Sequence, residues 1–129
     1  MISKTIESWH KMVEARDPSR LAEVLANDVV FHSPLRHKHV KGKFAVTLYL
    51  TSAMKMFSEG TFEYVREVVD GNDAVLEFHA VLDETEINGI DMIRVDSEGK
   101  ITDFKVMIRP YRALTLVGEK MRSLIEGRG

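Results

Sequence analysis

The sequence predicts an α+β fold, a half-barrel in which a curved, mostly antiparallel sheet wraps around N-terminal helices and a further helix closes the chain. Three observations carry that prediction. Apolar residues recur at helical spacing over most of the chain before Gly60, interrupted by one strand-like run. From Thr61 to Arg109 the texture changes to successive alternating segments separated by short turns of Asp, Gly, Asn and Ser. Helical spacing returns from Leu114 to Leu124. Helices first and a meander afterwards leave the sheet with a concave apolar face, and pockets form between such a face and its helices. With 129 residues and no linker or repeat, residues 1–129 are expected to form one domain.

The elements follow in order. Ile2, Ile6, Trp9 and Val13 share one face of an amphipathic helix. Asp17-Pro18 supplies a capping residue and a proline suited to a first helical turn, so a short second helix is expected with Leu21, Val24 and Leu25 as its stripe. Val29 to Ser33 is β-branched and aromatic and is stopped by Pro34, which predicts a strand. Leu35 to Lys41 reads as a basic loop closed by Gly42. Val46, Tyr49, Leu50, Ala53 and Phe57 then give a long helix ending near Glu59-Gly60. The meander starts with Thr61 to Val69, turned by Asp70-Gly71-Asn72-Asp73. Its next strand alternates Leu76, Phe78, Ala80 and Leu82 against Glu77, His79 and Asp83. Asn88-Gly89 is read as the entry to Ile90–Val95, which turns at Asp96-Ser97-Glu98-Gly99. In the last strand Phe104, Val106 and Ile108 oppose Asp103, Lys105 and Arg109, with Pro110 closing it. Leu114, Val117, Met121 and Leu124 form the final helix before the Gly127-Arg128-Gly129 tail.

Asp91 stands out within that pattern. Strand alternation places it with Ile93 and Val95 on the apolar side of the sheet, away from Arg94 and Asp96. A buried carboxyl must find a donor, be neutralised or serve a purpose, so Asp91 is either a working acid or a structurally satisfied one. His32 falls on the side opposite Ser33. A one-residue change of register would exchange them, which keeps His32 as a candidate general base. Tyr49 offers a hydroxyl from the long helix, or simply a packed ring. Leu76, Phe78, Phe104, Val106 and Ile108 are the expected cavity wall, and seven methionines suit either an adaptable lining or a core filler.

Phe31-His32-Ser33-Pro34 leading to Gly42, Asn88-Gly89-Ile90-Asp91, and Gly99-Lys100-Ile101 leading to Arg109-Pro110 occur in an order and spacing that resembles the nuclear transport factor 2-like superfamily, in its SnoaL-like and ketosteroid isomerase-like branch. The resemblance covers nearly the whole chain. It implies a cystatin-like, cone-shaped fold whose open end admits a small apolar ligand, and a homodimer through the outer sheet face. That outer face mixes Glu77, His79, Arg94, Lys105 and Arg109 with Val75, Val81, Met92 and Met107, a texture that suits a symmetric partner.

Ketosteroid isomerase keeps one aspartic acid protonated in an apolar site to donate a hydrogen bond. Matching its Val-Ile-Asp strand to Gly89-Ile90-Asp91 would put Asp91 in that role. Its catalytic base precedes a proline, where this chain has Ser33, and its tyrosine falls on Trp9, whose indole can donate but is not an acidic hydroxyl. One of three catalytic positions is kept, which does not support steroid isomerisation by that mechanism. The paired aspartates around an arginine of the related epoxide hydrolases are also missing, since Arg94 and Arg109 fall on the opposite faces.

Composition narrows the remaining classes. The net charge of −2, with Lys and Arg scattered, gives no footprint for nucleic acid. The absence of cysteine removes disulfides, thiolate nucleophiles and cysteine metal sites. His32, His37 and His39 lack an acidic or cysteine neighbour in sequence, so no metal is expected. Neither a Gly-rich phosphate loop nor a Ser-His-Asp motif occurs, and no cofactor is expected. The charged N-terminus and the lack of a long apolar run predict a cytoplasmic chain without membrane attachment. Two functions remain open. The first is cofactor-independent isomerisation, cyclisation or hydrolysis of an apolar carbonyl or epoxide compound, with Asp91 as acid or base and Trp9 and Ser33 as donors. The second is a non-catalytic ligand-binding or dimerisation module with Asp91 structural.

Overall fold

In the computed structural model, which describes residues 2–126, the chain runs α1 (Ile2–Ala15), a 3-10 turn (Leu21–Val24), β1 (Leu25–His32), β2 (Val40–Lys41), α2 (Lys43–Phe57), β3 (Thr61–Asp70), β4 (Asp73–Leu82), β5 (Thr85–Val95), β6 (Ile101–Arg109) and α3 (Tyr111–Glu126). The Gly127-Arg128-Gly129 tail read from the sequence lies outside the described residues. Six strands form one curved, unclosed sheet in the order β2-β1-β6-β5-β4-β3, a cystatin-like arrangement. All neighbours are antiparallel except β1 and β6, which run parallel across the long connection between them.

The inner face is built by alternation. Ala74, Leu76, Phe78, Ala80 and Leu82 of β4 are buried, and so are Ile87, Gly89, Asp91, Ile93 and Val95 of β5. Two core clusters cover this face. One packs Ile2, Ile6 and Trp9 of α1 on Phe31, Leu76, Ile93 and Phe104. The other packs Ala113, Val117 and Met121 of α3 with Met56 of α2 on Phe78, Leu82 and Ile87. Burying a side chain of this size stabilises the fold by roughly 1.5–3 kcal/mol. The Thr5 hydroxyl donates to the Gly99 carbonyl and ties α1 to the β5–β6 turn. Arg16 donates to the Ser58 carbonyl at 2.9 Å and ties the end of α1 to the end of α2.

Bulges bend the sheet and re-aim its side chains. Between the pairs Tyr64↔Phe78 and Arg66↔Glu77, β3 carries one extra residue, Val65. The phase of β3 therefore changes, so that Tyr64 and Glu67 both pair with inward-facing residues, Phe78 and Leu76. A second irregularity between Arg94 and Val95 allows Ile101 and Phe104 of β6 both to be buried.

Three expectations from the sequence change. The short second helix is only a 3-10 turn, because Leu25 pairs with Ile101 and enters the sheet as the first residue of β1. The basic loop contains the two-residue strand β2, paired with Val30 and Phe31. Asn88-Gly89 does not enter a strand but lies in the middle of β5. The hairpin before it turns at Asp83 and Glu84, both at positive φ (48° and 63°). Gly89 is there for space, since a Cβ would meet Phe78 Cζ at 2.4 Å and the Met107 carbonyl oxygen at 2.7 Å.

A candidate active-site cavity

Between the inner sheet face and the three helices lies a cavity of about 740 Å³. Phe57 from α2, Phe62 and Tyr64 from β3 and Phe78 from β4 form an aromatic wall, with Phe62 stacked on Phe78 at 5.0 Å between ring centroids. Met54, Met56 and Met121 supply flexible apolar surface. Val106 and Ile108 line the cavity from β6 and Tyr49 from α2.

Into this lining β5 brings Asp91, which pairs across the sheet with Leu76 and Val106. The residue is only 6% exposed. Tyr64 Oη donates to Asp91 Oδ2 at 2.5 Å, and Trp9 Nε1 in turn donates to Tyr64 Oη at 2.8 Å. The polar chain thus runs from α1 through β3 to β5. Trp9 is locked by its own packing, 5.1 Å from the Phe104 ring. The other carboxyl oxygen of Asp91 takes no hydrogen bond among the described residues.

Burial pushes the Asp91 carboxyl up to about 7, against the opposing pull of the Tyr64 hydrogen bond and of the nearby His10. Desolvation, reinforced by the Asp91 charge, holds the Tyr64 phenol well above its usual range. Tyr64 therefore stays a donor to Asp91, and near neutral pH Asp91 exchanges a proton readily. Such a carboxyl can donate to an oxygen atom of a ligand while its other oxygen is held in place.

Of the residues singled out from sequence, Trp9, Ser33, Tyr49, Phe78, Asp91, Val106 and Ile108 line this cavity together. Leu76 and Phe104 are buried in the α1-side core and do not line it. His32 does not line it either. Its alternation along β1 turns it outward, where Nε2 meets Asp103 Oδ1 at 2.9 Å and the ring packs on His39. The hydroxyl of Ser33 accepts the Leu35 N–H at 3.1 Å, a local turn bond.

Sequence reasoning missed Tyr64 and the pair His10–Glu67. Phe62 and Tyr64 follow the period of two, so their inward phase was available from Thr61 to Val69. Glu67 was not, because strict alternation sends it outward and only the bulge at Val65 returns it to the inner face. His10 sits next to Trp9, four residues after Ile6 on the flank of the apolar stripe. Its Nε2 lies 2.8 Å from Glu67 Oε1, and its ring meets Tyr64 edge-on at 5.0 Å. No group of metal-ligating side chains occurs among the described residues, and none of their helices is long and apolar enough to cross a membrane.

Comparison with known proteins places this fold in a family. The SnoaL-like domain model matches residues 6–104. A crystal structure of a steroid delta-isomerase from Pseudomonas aeruginosa is 39% identical with a TM-score of 0.94, covering 98% of this chain and 93% of that one. An uncharacterised bacterial protein with a cystatin-like fold, from Silicibacter pomeroyi, is 32% identical with a TM-score of 0.87, covering 95% of this chain and 85% of that one. An epoxide hydrolase/cyclase-like enzyme of salinomycin pyran-ring formation shares the fold at 19% identity and a TM-score of 0.69, covering 84% and 90% of the two chains. No curated protein sequence matches significantly. Domain match, full-length similarity and shared architecture agree: the chain belongs to the SnoaL-like family, within the nuclear transport factor 2-like fold.

Proposed function

We propose that the cavity binds a small, largely apolar molecule and that Asp91 acts on it as an acid, without a cofactor, in an isomerisation, cyclisation or hydrolysis of a carbonyl or epoxide compound. One observation carries the reading. A carboxyl poised near neutral pH lies on the cavity lining, with one oxygen held by Tyr64 and the other taken by no protein donor among the described residues. The aromatic wall supplies the surface for an apolar ligand, and the Trp9–Tyr64 chain orients the acid. The relative named a steroid delta-isomerase makes a β,γ-unsaturated ketone the first compound to try.

The test is turnover of a β,γ-unsaturated cyclohexenone, followed by ultraviolet absorbance of the conjugated product. Asp91→Asn keeps the shape and removes the acid, and turnover falls by roughly 10²–10⁴-fold with the melting transition intact. Unchanged turnover in that variant overturns the role given to Asp91.

A second reading, a non-catalytic binding or dimerisation module, is favoured by one observation. The Ser33 oxygen is already engaged by Leu35, so the position before Pro34 offers no base. In either case we propose that the outer sheet face pairs with a second copy, because Val68 and Met107 expose 57% and 46% of their surface among charged neighbours. Sedimentation of the protein as a dimer at micromolar concentration is expected, and a monomer would remove this assembly.

A further inference from the structure

We infer that His10, held by Glu67, is the general base of the cavity, removing a carbon-bound proton from a ketone whose oxygen Asp91 polarises. This inference rests on the reading of Asp91 as the acid. It answers what that reading leaves open, since Ser33 has no basic group.

The geometry supports it in three ways. His10 and Asp91 flank the same ring: the imidazole meets Tyr64 edge-on at 5.0 Å, and the Tyr64 hydroxyl reaches Asp91 at 2.5 Å. Base and acid are therefore both held against Tyr64 on one cavity lining. Next, the 2.8 Å contact to Glu67 fixes the tautomer. A carboxylate accepts, so Nε2 carries the hydrogen, and Nδ1 keeps its lone pair with no partner among the described residues. Third, His10 lines the cavity and its side chain is 30% exposed, so a ligand can reach it. Besides Glu67, Tyr64 and Asp91, the charged groups on this lining are Glu14 of α1, Arg16 just after it, and Glu63 and Arg66 of β3.

The step is redox-neutral. The C–H bond beside the carbonyl breaks, and its electron pair forms the C=C bond of an enolate. The proton passes to Nδ1 of His10, giving an imidazolium that Glu67 stabilises. The enolate oxygen accepts the hydrogen bond of protonated Asp91. Return of the proton to the γ-carbon re-forms the carbonyl, now conjugated, and restores neutral His10. Glu67 is a positioning residue, acting only through the imidazole.

The experiment follows two readouts on a β,γ-unsaturated cyclohexenone: formation of the conjugated enone, and exchange of the α-protons with deuterated water by NMR. His10→Gln lowers kcat for both by on the order of 100-fold, with KM little changed. Added imidazole restores both rates in His10→Ala but not in Asp91→Asn, which a merely structural histidine would not show. Glu67→Gln gives a smaller loss, in kcat with KM little changed, a split that a merely structural contact would not produce. If His10→Gln keeps the wild-type rate while Asp91→Asn loses it, the base assignment falls and the acid stands. If His10→Ala loses activity and imidazole does not restore it, the base assignment also falls. A wild-type rate no faster than buffer overturns both.

Discussion

Of the three histidine–carboxylate pairs among the described residues, two are near twins in geometry and differ in what surrounds them. His10–Glu67 is 2.8 Å long with its side chains 30% and 44% exposed, and His32–Asp103 is 2.9 Å long with 27% and 40%. Each links one element to a strand of the sheet, α1 to β3 in the first case and β1 to β6 in the second. Length, partner type and exposure do not separate them. Their surroundings do. His10 lines the cavity beside Tyr64 and Asp91, whereas His32 faces the outer side and stacks edge-on with His39 at 5.0 Å. A dyad becomes a site only where a cavity and a second, complementary group meet it.

The buried acid is what distinguishes the inner pair, so the sharpest way to break the comparison is to measure that acid. The folded-state value of Asp91, about 7, lies above the ordinary 3.8, so between those values the folded protein holds a proton that the unfolded chain has released. Its stabilising contribution is complete below about pH 4 and is lost as pH rises through 7. At about 1.4 kcal/mol per pH unit the full loss reaches up to about 4 kcal/mol, less to the extent that the cavity opens to solvent. Asp91→Asn carries no such titration. The stability of wild type minus that of the variant, from denaturant melts, falls with pH across this window and then levels off. A difference independent of pH would mean that the acid is not buried, and the inner pair would lose its distinction.

Next in size is the direct exchange of the twins. His32→Gln, on the outer face, is expected to leave turnover of the cyclohexenone within about twofold of wild type, against a loss on the order of 100-fold for His10→Gln. Equal losses from both would show that an altered sheet, rather than a base, is being measured.

Sequence reasoning kept His32, which does not line the cavity, and passed over His10, which does, for a physical reason. Alternation along Val29 to Ser33 was readable and turned His32 outward, yet a one-residue uncertainty in register kept it among the candidates. His10 lies on a helix, where its value depends on what stands opposite, and Glu67 reaches that place only through the extra residue Val65 in β3. A bulge has no alternation signature. By contrast Asp91, the inner face of β4 and the helices α1, α2 and α3 were legible because burial there obeys an unbroken period. Gly89 was misread as a turn signal, because its reason is the space that Phe78 occupies.

Tyr64 offers a prediction of intermediate size, because it stands between base and acid. Tyr64→Phe deletes the donor to Asp91 and leaves the buried Trp9 N–H without its acceptor. An unsatisfied buried donor costs about 1–3 kcal/mol, which a melt would register. The hydrogen bond from Tyr64 lowers the Asp91 value, so its removal moves the alkaline limb of the rate profile upward from about pH 7. A limb that stays in place would mean that Tyr64 does not hold the carboxyl.

The smallest effects test whether the twins are alike as interactions. Both pairs are partly exposed, and such pairs contribute about 0–1 kcal/mol. Glu67→Gln and Asp103→Asn should each shift stability by no more than this. If function came from the pair itself, the two substitutions would also look alike in turnover. With Asp91 opposite only one of them, Glu67→Gln alone lowers kcat, because the amide no longer holds the imidazole tautomer or offsets the charge that the base acquires. A loss of stability in Glu67→Gln well beyond the exposed-pair range, with kcat unchanged, would make the inner pair a structural bond between α1 and β3. It would then be a twin of His32–Asp103 in role as well as in geometry.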